Sequence, residues 1–218
     1  MGKTSATTFT NKLMICIVDY GVGNLKSIQN MLKRAGVQAA ISNTAEEVDK
    51  ATKLILPGMG HFDHCMQQFN RSGMRSLIEK KVLENKIPVL GICVGLQMFM
   101  QSSEEGKEPG LNWVDGKTIR FQQSKMDGGL KVPNMGWLET NGSKDSTILN
   151  NLQQARFYFA HSYHVDVSNE QDTLMTADYG YTFPVAVEKE NITGVQFHPE
   201  KSHRFGMTLL KNFAEKPL

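Results

Sequence analysis

The sequence predicts an α/β fold: a mostly parallel central sheet flanked by helices, with antiparallel strands added in the second half. Three observations carry this prediction. As far as Met100, short apolar runs alternate with segments whose apolar residues recur at helical spacing, the pattern of βα units. After Met100 the chain changes to short runs rich in Val, Phe, Tyr and Thr, spaced by turns such as Asp127-Gly-Gly and Asn141-Gly. Where the first pattern ends, Val89-Leu-Gly-Ile-Cys-Val-Gly-Leu-Gln97 reads as a strand turning sharply into a helix.

Leu13 to Asp19 is nearly all apolar and rich in branched residues, as a buried parallel strand is. Asp19 to Lys26 is a turn into a helix that carries Ile28, Met31, Leu32 and Ala35 and stops at Gly36. Its Gly-x-Gly is no nucleotide fingerprint, because Lys26 occupies the place of the third glycine and no Gly-Lys-Ser/Thr follows. A second strand near Val37 to Ile41 and a short helix from Thr44 lead to a third strand from Lys53, which ends in Pro57-Gly-Met-Gly60. Helices over His61 to Asn70 and Met74 to Asn85 precede the strand Ile87 to Ile92. Ser102 to Gly110 is a polar loop, and Arg156 to Tyr163 an alternating strand. Ile192 to His198 is the last strand; Ser202 caps a final helix that turns Phe205, Leu209, Leu210 and Phe213 to the sheet.

With 218 residues and nothing resembling a linker, a single domain over 13–218 is expected, after a flexible polar extension over 1–12 that carries no assigned function. A net charge of +2 without basic blocks leaves no footprint for nucleic acid. The apolar runs are too short to span a membrane, and the start lacks both the apolar core of a signal peptide and a myristoylation pattern. Cys16, Cys65 and Cys93 are odd in number and far apart, which suits a reducing, cytoplasmic compartment. His161 and His164 share their spacing with no carboxylate or cysteine, so neither a metal site nor a cofactor is expected.

The chemistry centres on Cys93. A lone cysteine after a strand usually only packs. Here Gly91 and Gly95 remove the side chains that would strike a crossing chain, as in the nucleophile elbow of serine hydrolases. A thiol at the first turn of a helix also meets the positive end of the helix dipole, which favours the thiolate. Far down the chain stands Gly194-Val-Gln-Phe-His-Pro-Glu-Lys-Ser202. A histidine and a glutamate two apart on an extended segment face the same way, so His198 can take the thiol proton while Glu200 orients the imidazole. Pro199 between them suits a strand end.

Six stretches, IVDYGVGNLKS, LILPGMGHF, GICVGLQ, VPNMGW, FYFAHSY and GVQFHPEKS, occur in this order from Ile17 to Ser202. In them the chain resembles the class I glutamine amidotransferases, most of all their HisH-type glutaminase subunits. The resemblance implies hydrolysis of L-glutamine to glutamate and ammonia by Cys93, His198 and Glu200. It implies an oxyanion hole from the amides of Met59, Gly60 and Val94, and a glutamine pocket bordered by Gly58, Gln97, His161, Ser162 and Tyr163. It further implies a heterodimer with a HisF-type cyclase, with Asn24, Tyr158 and Lys201 at the interface. Asn134 stands where the histidine-pathway pattern has histidine, Leu138 where it has asparagine, Asn112 where it has glycine and Val94 where it has leucine. Together with SSEEGKEPGL and EKSHRFGM, these departures leave open a HisH-like branch that supplies ammonia to sugar amidotransferases of surface polysaccharide synthesis. A binding subunit without turnover and a cysteine peptidase are the readings from other classes.

Overall fold

The computed structural model describes residues 14–126 and 129–217. The expected extension over 1–12, Leu13, and the first two residues of the expected Asp127-Gly-Gly turn lie outside them. The first half builds βα units as the periodicity requires. In order these are β1 (Ile15–Val18), α1 (Leu25–Arg34), β2 (Ala39–Ser42), α2 (Ala45–Lys50), β3 (Lys53–Gly58), α3 (Phe62–Arg71), α4 (Arg75–Glu79), β4 (Val89–Cys93) and α5 (Val94–Gln97). Helix α1 buries Ile28, Met31 and Leu32 and ends where Gly36 takes φ +79°. The expected helix over Met74 to Asn85 forms α4 and then widens into a π-helical turn over Lys80–Glu84.

The second half supplies β5 (Ser102–Ser103), β6 (Gly116–Arg120), β7 (Asn134–Glu139), β8 (Asn141–Gly142), β9 (Arg156–His161), β10 (Tyr163–Val167), β11 (Thr173–Asp178), β12 (Thr182–Lys189), β13 (Ile192–Val195) and α6 (His203–Glu215). The central sheet runs β2-β1-β3-β4-β13-β12-β11-β8. It is parallel from β2 to β13 and antiparallel beyond. Only β8, β11 and β12 extend it as the sequence led us to expect. β6 pairs with β10 and β5, and β7 with β9, in two smaller sheets. Asn141-Gly is no turn; it is the edge strand β8, opposite Thr176 and Met175.

Strands β1, β3, β4 and β13 are buried throughout, which explains their unbroken apolar runs. Lys53 is the exception, 1% exposed at the start of β3. Its ammonium donates to the carbonyls of Phe213 (3.0 Å), Ala214 (2.8 Å) and Lys216 at the end of α6. Three charge-assisted hydrogen bonds thus take up carbonyls that a helix end leaves free.

Candidate active site

At the end of β4 the chain reverses through Cys93, whose φ of 55° and ψ of −112° lie where a residue with a side chain is strained. The elbow needs its glycines. A Cβ on Gly95 would stand 2.0 Å from the carbonyl oxygen of Leu56, and one on Gly91 would meet Gly95 O and the Phe99 ring at 2.7 Å. Gly58, opposite Cys93 in the β3–β4 register, would meet Gly95 N at 2.5 Å. The helix after the elbow is a single turn of four residues, shorter than the dipole argument requires. Positive charge reaches the thiol instead from His198.

His198 lies three residues beyond β13, which ends at Val195, short of the strand end expected at His198. Its backbone has left the central ladder. His198 N donates to Tyr158 O of β9 (2.9 Å), and His198 O accepts from Ser202 Oγ (2.7 Å), which also accepts from Tyr158 N (3.0 Å). Ser202 occupies the N-cap position of α6, yet its hydroxyl is spent on this tie and caps nothing. Phe197 points the other way and stacks on Phe157 with centroids 3.8 Å apart.

The carboxylate reaches the imidazole by another route than strand alternation. Pro199–Lys201 is a 3₁₀ turn with proline at its start, and the turn folds Glu200 back so that His198 Nδ1 donates to its Oε1 at 2.9 Å. Nε2 is left to face the Cys93 sulfur, which shares its cleft. Burial opposes charge on His198, but the interaction with Cys93, then that with Glu200, outweighs it, and the imidazolium is held up to about 10. The site therefore rests with its acid loaded.

One cleft of about 240 Å³ gathers Cys93, Val94, Gln97, His198 and Lys201 with Met59 and Gly60 on one side and His161, Ser162 and Tyr163 on the other. Gly58 lies directly behind it. This volume is below the roughly 300–1,000 Å³ of sites for drug-sized ligands and gives room for an amino acid. A larger cavity, about 560 Å³ beside β8, contains none of the expected residues. Behind the Met59 loop, Tyr20 Oη donates to Pro57 O and Cys65 Sγ to Met59 O (3.5 Å), so two side chains hold its carbonyls. Asn24 stands at the start of α1, outside the cleft. Tyr158 lies on β9, with Lys201 Nζ 5.6 Å from its ring centre.

His161 lines the cleft, but both its nitrogens are spent. Nδ1 donates to Tyr163 O (2.7 Å) and Nε2 accepts from Asn134 Nδ2 (3.2 Å), while burial lowers its pKa to about 3 and keeps it neutral. Its part is to shape the wall. Asn134, where the pattern has histidine, is therefore the buried partner of another histidine. His164 is similarly engaged, with Val165 O (3.0 Å) and Tyr181 Oη (2.8 Å).

Three lining residues were not singled out from sequence: Glu105, Pro133 and Ala160. Glu105 lies in the polar loop over Ser102 to Gly110. The loop is fastened to α3, where Asp63 accepts from the amides of Lys107 and Glu108 and Glu105 Oε2 accepts from Phe62 N (2.8 Å). Gln196 also went unremarked, although its Nε2 lies 3.8 Å from Cys93 Sγ.

Similarity to known proteins places the chain in a family. The family profile described as glutamine amidotransferase class-I matches residues 16–216. The imidazole glycerol phosphate synthase subunit HisH of Bdellovibrio bacteriovorus is 49% identical over 93% of this chain and 100% of its own length. Subunit HisH 2 of Pseudomonas aeruginosa is 46% identical over 93% and 99%. Among solved structures, PurLQS from Thermotoga maritima superposes with a TM-score of 0.69 at 16% identity, over 93% of this chain and 98% of that one. A glutamine amidotransferase from the same organism gives 0.60 at 16%, over 86% and 76%. The chain belongs to the class I glutamine amidotransferases and, within them, to the HisH-type glutaminase subunits.

Proposed function

We propose that Cys93, His198 and Glu200 hydrolyse glutamine and that the ammonia passes to a HisF-type cyclase which makes imidazole glycerol phosphate. The observation that carries this reading is the meeting, in one amino-acid-sized cleft at the strand ends, of a strained thiol with an imidazolium backed by a carboxylate. With its proton already on His198, the Cys93 sulfur attacks the side-chain amide carbon of glutamine. Charge moves to the oxygen, which the amides of Met59, Gly60 and Val94 receive. His198 gives its proton to the departing nitrogen, the C–N bond breaks, and ammonia leaves a glutamyl thioester. Water gives a proton to His198 as its oxygen attacks the thioester; the C–S bond breaks, glutamate leaves, and the sulfur anion and imidazolium are restored. Glu105, fixed by Phe62 N, offers its free oxygen to the substrate's α-ammonium, and Gln97 borders the side-chain amide.

Ammonia in bulk water near neutral pH is largely protonated and lost as a nucleophile, which is the chemical reason for a docked partner. Asn24, Tyr158 and Lys201 form the docking face together with Trp137, which packs edge-on to Tyr158 (6.0 Å). The names of the relatives favour histidine biosynthesis over surface polysaccharide synthesis. Three free cysteines suit the cytoplasm, and among the described residues no helix is long and apolar enough to cross a membrane.

The test is Cys93→Ser in the complex with the cyclase. Glutamine-dependent turnover should fall on the order of 10⁴-fold or more while turnover on added ammonium salt persists. Glutamate release by the serine variant at the parent rate would refute the mechanism.

A further inference from the structure

We propose that Gln196 is a positioning residue for the nucleophile, its side-chain N–H held against the Cys93 sulfur by a relay of two amides anchored on a main-chain carbonyl. This rests on Cys93 being the nucleophile. The direction of the relay is fixed by chemistry. Tyr163 O can only accept, so the atom of Gln97 that meets it at 3.2 Å is Nε2. That amide's second N–H is directed to Gln196 at 3.2 Å, so Gln196 presents Oε1 to it. Nε2 of Gln196 must then be the end turned to Cys93 Sγ, at 3.8 Å.

Nothing else explains this amide. Gln196 is fully buried, where an amide without partners costs free energy and an apolar residue would fill the space. Its main chain is fixed by Gln196 N donating to Val185 O (2.8 Å). Side chains alternate through Gln196-Phe197-His198: Phe197 packs on Phe157, and the two flanking residues both address the sulfur. The other titratable groups facing Cys93 are Tyr20 and Cys65, whose hydrogens are committed to Pro57 O and Met59 O. Gln196 and His198 therefore flank the sulfur, and the Gln196 N–H holds it in one rotamer. Because Gln97 also walls the cleft, the relay joins the substrate pocket to the nucleophile.

The experiment follows the rate of Cys93 alkylation by iodoacetamide against pH, with the modified peptide identified by mass. It needs neither glutamine nor cyclase. Burial pushes the Cys16 and Cys65 thiols up to about 11, so both stay silent near neutral pH. Gln196→Met should slow alkylation at neutral pH about tenfold. In the complex its kcat should fall by a similar factor, with KM for glutamine within about twofold. Gln97→Met, which removes the tether and leaves Gln196 in place, should slow alkylation by less. A profile and kcat unchanged in Gln196→Met overturn the proposal; should that variant fail to fold, an unchanged profile in Gln97→Met does so. A parent chain that hydrolyses no glutamine with its cyclase, yet whose alkylation responds to Gln196→Met, would refute the proposed function and leave this role of Gln196 standing.

Discussion

His198 is protonated throughout the physiological range because its two partners outweigh its burial. In the proposed mechanism its proton goes to the leaving ammonia, so activity should hold below a pH of about 10 and decline above it as the imidazolium loses that proton. Replacing Glu200 by Gln removes one of the interactions that raise the value. The alkaline limb of kcat/KM should move to lower pH and kcat should fall about 10- to 100-fold, the worth of one hydrogen bond to a charged group. A pH–rate profile of Glu200→Gln that overlays the parent would separate Glu200 from the chemistry. The meeting of Cys93, His198 and Glu200 was legible in sequence because each sits in a short local pattern, Gly-x-Cys-x-Gly or His-Pro-Glu. Gln196 and Glu105 were not, since a glutamine or glutamate acquires meaning only from a partner distant along the chain, Cys93 in one case and Phe62 N in the other.

At the scale of elements, glycine marks where backbone meets backbone. Gly95 faces the carbonyl of Leu56, and neither can move without breaking β3 or the elbow, whereas a Cβ on Gly36 would meet nothing within 4 Å. Gly95→Ala should therefore cost about 3 kcal/mol or more, and Gly36→Ala only about 1–2 kcal/mol for its left-handed backbone. Denaturant unfolding of both variants measures this, and equal costs would contradict the packing account. Alternation of strand and helix was readable from periodicity because burial on both faces leaves a continuous apolar run. The 3₁₀ turn that swings Glu200 back was not, because alternation and a turn give the same face to residues two apart. Nor was the use of Ser202, since a serine before a helix reads as a cap unless the position of β9 is known.

Across the whole molecule, the sequence indicated strands after Met100 but not which sheet each joins. Pairing of β6 with β10 and of β7 with β9 depends on contacts between segments far apart, to which local composition is blind. The face carrying β7 and β9 leaves Met135 66% and Trp137 37% exposed beside Tyr158 and Lys201, an apolar surface with a basic rim. The chain's other tryptophan, Trp113, is buried and stacked on Phe99. Emission should thus rise and shift to the blue when the cyclase docks, and Trp137→Phe should abolish the response. A complex that forms with no change in the parent's emission would place docking elsewhere.

Strand β13 is the last strand along the chain, yet it lies between β4 and β12. During synthesis, β2-β1-β3-β4 and β12-β11-β8 must wait with open hydrogen-bonding edges until residues 192–195 leave the ribosome. Gln196 and His198 follow at once, and the carbonyls that receive the Lys53 ammonium come about twenty residues later. On the proposed chemistry a nascent chain stays silent until these residues have emerged. Closure of the sheet and completion of the cleft are then a single late event, and on the proposed chemistry no ammonia is released before it.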